Sequence, residues 1–119
     1  MISLETAQKL KDAGLRWEPK EGDCWCNGMW MAINYYLELV TGHLLVKKQA
    51  IWLPRLDQLL AEIDEQGYDY ILAQYVSDKG TAWEVKLRDI DAFVSNDSPS
   101  EAAAEALLWI LEQEVKHEN

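Results

Sequence analysis

The run from Ser98 to Lys116, Ser-Pro-Ser-Glu-Ala-Ala-Ala-Glu-Ala-Leu-Leu-Trp-Ile-Leu-Glu-Gln-Glu-Val-Lys, constrains the fold more than any other stretch, because it meets every local requirement of a long helix. Ser98 is placed to cap the first turn, and Pro99 at the first helical position gives up only an N–H that has no intrahelical acceptor. Glu101, three residues after the cap, completes a capping box and sets negative charge at the positive end of the helix. At 100° per residue Ala103, Ala104, Leu107, Leu108, Ile110, Leu111 and Val115 share one broad arc, with Glu101, Glu105 and Glu112 opposite. Small residues early and large ones late predict a helix that starts close against a sheet. Trp109 falls on the polar side, about 160° from the centre of the arc. It is the tryptophan expected to be exposed or used in a contact.

The elements before it follow from periodicity and punctuation. Ile2 to Ala13 reads as a short amphipathic helix with Ser3 as N-cap, Leu4, Ala7 and Leu10 on one face, and Gly14 in the left-handed position that ends it. Asp23 to Ile33 reads as a hairpin. Asn27-Gly28 suits a two-residue turn, which sets Cys26 opposite Met29 and Trp25 opposite Trp30. Tyr35–Val40 and His43–Val46 read as a further strand pair, with helix as the alternative for Asn34 to Val40. Pro54 opens a second helix through Leu56, Leu59, Leu60 and Ile63, stopped at Gly67. Three strands follow, Tyr70–Val76, Thr81–Arg88 and Ala92–Ser95; the middle one alternates Trp83, Val85 and Leu87 with Glu84, Lys86 and Arg88.

Residues 54–116 therefore run helix, strand, strand, strand, helix, and two amphipathic helices can cover one face of a three-stranded antiparallel sheet. The expected class is α+β. No Gly/Ser linker separates this unit from the helix and hairpin of residues 1–53, so one domain over residues 1–119 is expected, with the N-terminal elements extending the sheet or covering its other face.

Two stretches, Leu10-Lys11-Asp12-Ala13-Gly14-Leu15-Arg16-Trp17-Glu18-Pro19-Lys20-Glu21-Gly22-Asp23 and Ile51-Trp52-Leu53-Pro54-Arg55-Leu56-Asp57-Gln58-Leu59-Leu60, together with the start of the closing helix, resemble small uncharacterised proteins of prophages and phage-like elements of Gram-positive bacteria. The order within residues 54–116 is also similar to small phage domains with an α-β-α sandwich. The resemblance implies a phage context and transfers no active-site residue. Double-stranded-RNA-binding domains share the α-β-β-β-α order but grip phosphates with a basic cluster at the start of the last helix. Here that position is Ser98-Pro99-Ser100-Glu101, which argues against the role.

Charge points the same way. The net charge is −10, and residues 56–119 hold fifteen acids against four bases, a surface that repels a phosphate backbone. No nucleic acid is expected as a partner. An acidic decoy that mimics DNA and inhibits a DNA-binding protein or nuclease is an alternative reading. Ser3, Glu5 and Lys9 stand where the apolar core of a secretory signal would lie, and Met29 to Val46 is broken by Asn34, Glu38, Gly42 and His43, so a cytoplasmic protein without a membrane partner is expected.

Candidate chemistry is sparse. Cys24 and Cys26, two apart on a strand, sit at the far limit for a disulfide and supply two metal ligands, with His43 and His117 as the remaining soft donors. Reduced thiols are the simpler reading. Asp89 and Asp91 lack the oxygen pattern of a calcium loop, and no nucleophile motif or phosphate-cradling glycine loop is present. Catalytic, cofactor-binding and metal residues are expected to be none, with a small enzyme as the third possibility. Six tryptophans are many for this length. Trp17, Trp52, Tyr35, Tyr36 and Trp109 are the candidates for a contact with another protein or a second copy of the chain, since interface cores favour such residues.

Overall fold

The computed structural model describes residues 2–18, 22–26, 31–33, 51–88, 90, 92–95 and 98–118. Their order is α1 (Leu4–Asp12), β1 (Cys24–Cys26), β2 (Met31–Ile33), β3 (Ile51–Trp52), α2 (Leu56–Glu65), β4 (Tyr70–Ser77), β5 (Gly80–Leu87), β6 (Ala92–Ser95) and α3 (Pro99–Glu118). The class is α+β, with two antiparallel sheets ordered β2-β1-β3 and β4-β5-β6.

Both short helices stop in the same way. In α1 the Gly14 N–H donates to the Lys11 carbonyl at 3.1 Å and the Leu15 N–H to the Leu10 carbonyl at 3.0 Å. In α2 the Gly67 N–H donates to Asp64 at 2.9 Å and the Tyr68 N–H to Ile63 at 3.3 Å. These are two Schellman endings, and the φ of +102° at Gly14 and +87° at Gly67 is the left-handed turn that each requires. At the other end of α1 the Ser3 Oγ accepts from the Thr6 N–H at 3.1 Å. Leu4 does not join the buried face; it is 42% exposed, and Ala7 and Leu10 alone carry α1 into the core. The second helix begins at Leu56 with Arg55 as its N-cap, so Pro54 lies one residue before the cap. Proline drives its predecessor Leu53 into extended backbone, and Leu53 continues the β1–β3 ladder by donating to the Cys24 carbonyl at 2.9 Å.

The hairpin register differs from the one Asn27-Gly28 suggests. Cys24 pairs with Ile33, Trp25 with Ala32 and Cys26 with Met31, which leaves residues 27–30 as the connection; those residues lie outside the described set. The shift is by two, so every side chain keeps its face. Ile51–Trp52, for which the sequence predicts no strand, is the third strand of this sheet, with Trp25 opposite Trp52 and Cys26 opposite Ile51. β1 thereby has partners on both sides within the N-terminal half, and these elements build their own sheet rather than extending β4-β5-β6. The predicted strands Tyr35–Val40 and His43–Val46 lie outside the described residues.

The core forms around α3, which packs against α1, α2, β5 and β6. Ala102, Ala103, Ala104, Ala106, Leu107 and Ile110 are all fully buried, together with Leu59 and Ile63 of α2 and Val85 and Leu87 of β5. The Ser98 Oγ caps α3 by accepting from the Glu101 N–H at 3.0 Å. Glu101 does not return the bond to Ser98, as a capping box would. Its carboxylate crosses to α1, where Oε1 accepts from the Ser3 N–H at 2.5 Å and Oε2 from the Thr6 hydroxyl at 2.8 Å. One negative group thus serves the positive ends of two helices. Among the described residues no helix is long and apolar enough to cross a membrane.

Two predictions follow from α3. Glu101→Ala strands the α1 N-terminus and lowers unfolding free energy by about 1–3 kcal/mol, whereas Glu112→Ala, on an exposed position, changes it by less than about 0.5 kcal/mol; urea titrations distinguish them. Glu105 has its carboxyl pushed above the ordinary value of 4.5, first by partial burial and second by the nearby Glu101 charge, against a smaller opposing pull from Lys9. The folded chain therefore holds this proton more tightly than the unfolded one, and ionising Glu105 costs stability as pH rises through the raised value. Glu105→Gln should raise the melting temperature modestly at pH 7, with the gain shrinking to nothing below pH 4.5.

Candidate functional site

β1 divides the aromatic half of the molecule. Its Cys24 face packs on the main core, beside Ile51 and Leu53, while Trp25 turns to the opposite side and forms a second cluster with Trp17 and Trp52. Trp17 and Trp52 stack at a centroid distance of 6.3 Å with planes 7° apart. Trp17 is 8% exposed and Trp25 5%. Two of the candidate contact residues, Trp17 and Trp52, are therefore brought together, but facing each other rather than a partner.

The pin of this cluster is Asp23, a residue that sequence reading passed over as the start of a hairpin. It is buried, and its two oxygens accept from the Trp17 Nε1–H at 2.8 Å and from the Gln58 side-chain amide at 2.7 Å. Gln58 in turn accepts from the Arg55 N–H at 2.9 Å, and the Arg55 guanidinium donates to the Gly22 carbonyl at 3.2 Å. The first turn of α2 is thus tied to the Trp17 loop through one buried carboxylate. A cleft of about 300 Å³ beside it gathers Arg16, Glu18 and Glu62 with Trp17 and Trp52. The signal that could have found Asp23 is the pairing of a capping-box glutamine at Gln58 with a nearby acid and an indole donor.

Trp109 is elsewhere, and it is not the free solvent-facing ring that the helical wheel suggests. It is half-buried, edge-on to Tyr68 at 6.3 Å and tilted against Phe93 at 6.2 Å. The wheel sees only the face turned away from α2 and the sheet centre; the residue after the α2 stop and the last strand rise to cover it. Tyr35 and Tyr36 lie outside the described residues. The Cys24 thiol is free and half-buried, and among the described residues no group of three or more His, Cys, Asp or Glu side chains is placed to hold a metal ion.

What the molecule exposes is β4. Of the five large hydrophobic residues exposed among the described residues, four lie on this strand: Tyr70 at 37%, Ile71 at 65%, Tyr75 at 53% and Val76 at 78%. Among the described residues β4 is an edge strand, paired only with β5. On the sheet face away from α3, Ile71, Ala73 and Tyr75 stand beside Lys86, Glu84 and Ala82 of β5. A groove of about 330 Å³ opens where Asp69, Tyr70, Ile71, Lys86 and Arg88 meet. No model of a known family, no curated protein and no solved structure matches this chain.

The indole network makes a contrast. Trp17→Phe keeps the stack but leaves buried Asp23 short of a donor, and should cost about 1–3 kcal/mol. Among the described residues the buried Trp52 Nε1–H has no acceptor, so Trp52→Phe removes an unmet donor along with some ring area and should cost clearly less. Denaturant midpoints at constant slope measure both.

Proposed function

We propose that this chain is a non-enzymatic protein of phage context, working in the cytoplasm through contact with another protein or another copy of itself, and that β4 carries the contact. The supporting observation is the concentration of exposed apolar side chains on one uncharged edge strand, Tyr-Ile-Leu-Ala-Gln-Tyr-Val-Ser, in a chain of net charge −10. Exposed large hydrophobic residues scattered singly mean little, but a contiguous set on an edge strand marks an interaction site. This moves the proposed contact away from Trp17 and Trp52, which pack with Trp25. The acidic-decoy reading gains no comparable support, since the acids of residues 56–112 are spread over α2, both ends of β4, β5 and α3.

The test is affinity purification from bacterial lysate with tagged wild type and with the double variant Ile71→Glu, Val76→Lys. Glu at 71 faces Lys86 across the ladder and Lys at 76 faces Thr81, so the hairpin is spared. Expected is a defined species, a different protein or untagged copies of the chain, retained by wild type and lost at least tenfold in the variant at an unchanged melting temperature. Identical recovery with both proteins removes β4 from consideration.

A further inference from the structure

The phase of the β4–β5 ladder decides which backbone groups of β4 are unused. Arg88 N–H donates to the Asp69 carbonyl at 3.2 Å, and the two-residue turn at Asp78-Lys79 is closed by the pair Ser77 and Gly80. Hydrogen-bonded pairs alternate along an antiparallel ladder, so Ile71, Ala73 and Tyr75 spend their N–H and C=O groups on β5. Tyr70, Leu72, Gln74 and Val76 turn theirs to the free edge.

We infer that β4 pairs with β4 of a second copy, antiparallel about a two-fold axis through Ala73, to form one continuous six-stranded sheet. This rests on the reading of β4 as the interaction surface. A two-fold normal to the sheet keeps each face on its own side, which requires paired residues to have the same parity. Centring on Ala73 is the register that matches all four exposed apolar residues with one another. Ile71 meets the partner's Tyr75 on one face, and Tyr70 meets the partner's Val76 on the other. At the centre the two Ala73 residues form a non-hydrogen-bonded pair, where side chains come closest and small ones fit.

Charge agrees with this occupant. Residues 70–77 carry no Asp, Glu, Lys, Arg or His, so two strongly acidic copies meet where repulsion is least. At each end the Asp78-Lys79 turn of one copy comes beside Asp69 and Arg88 of the other, one acid and one base from each. The area sets the strength. A paired strip ~27 Å long and one sheet spacing wide covers roughly 300 Å² per copy, below the ~800 Å² of a standard interface. The dimer is therefore reversible and concentration-dependent.

Sedimentation velocity over a hundredfold range of concentration tests the association, and oxidation of Ala73→Cys tests the register. Expected are a wild-type mass that rises from one copy toward two, and a monomer at every concentration for Gln74→Pro, which removes only an outward N–H. Ala73→Cys should cross-link to a dimer under mild oxidant, while Ala82→Cys on β5 and wild type, with its native cysteines, should not. Cross-linking of Ala82→Cys but not Ala73→Cys overturns the register. A wild-type monomer throughout overturns self-pairing. In that case a different protein whose capture is lost in Ile71→Glu, Val76→Lys keeps the broader surface reading, and the absence of any such protein removes both.

Discussion

Three elements close on the first turns of α3 at once, and the rest of the architecture follows from that crowding. Ala102, Ala103, Ala104 and Ala106 lie at about 0°, 100°, 200° and 40° around the helix, so together they cover more than half of its circumference, and all four are fully buried. A helix with one apolar stripe packs on one partner. This one has α1, α2 and the β5–β6 side of the sheet around it, each approaching a backbone that carries nothing larger than a methyl group. Larger apolar side chains enter from Leu107 onward, at Leu107, Leu108, Trp109, Ile110 and Leu111. Dispersion between close backbones, rather than the area of any one side chain, holds this end together. Glu101 sits where α1 and α3 converge and cannot point to open water without leaving the Ser3 N–H and Thr6 hydroxyl unmet, so the crowding converts a helix cap into a tertiary tie.

A second core of different chemistry stands on the far side of β1. Strand alternation sends Cys24 toward the aliphatic core and Trp25 toward Trp17 and Trp52, and the short β3 repeats the division with Ile51 and Trp52. Large flat rings leave gaps that aliphatic side chains fill poorly, and their indole N–H groups demand acceptors when buried. Asp23 meets one of those demands and orders the first turn of α2 with its other oxygen. Charge burial of this kind is tolerated because both oxygens are hydrogen-bonded. Trp17, Trp25 and Trp52 are in this way engaged in packing.

The parts legible in the sequence were those decided by short-range physics. Helix periodicity, the glycine stops and the alternation of β5 needed no knowledge of partners. What failed was decided at a distance. Asn27-Gly28 favours a tight turn locally, yet the register of β1 is shared with β3, and β3 is two residues long, too short for any period to announce it. Glu101 looked like the second half of a capping box because its alternative partners, Ser3 and Thr6, stand at the other end of the chain. Trp109 looked exposed because a helical wheel contains no Tyr68 or Phe93. For the candidate site a signal was present and unread. Tyr70–Ser77 is apolar at both parities, a pattern that belongs to a strand covered on both faces, and a three-stranded unit with helices on one face offers such cover only to its inner side.

That mismatch raises the question of why an uncharged apolar edge strand persists in a chain so acidic elsewhere. Natural sheets blunt such edges with lysine, proline or a bulge, and β4 has none of these along its length. Its protection is global. A net charge of −10 on a small chain gives repulsion that reaches about one Debye length, ~8 Å at physiological ionic strength. That opposes random approach of copies from most directions and fades only where charge is absent. An acidic chain with one uncharged edge is thus selective rather than sticky: on the proposed pairing, the same imbalance that argues against nucleic acid confines weak, reversible association to the place where two edges can pair in phase.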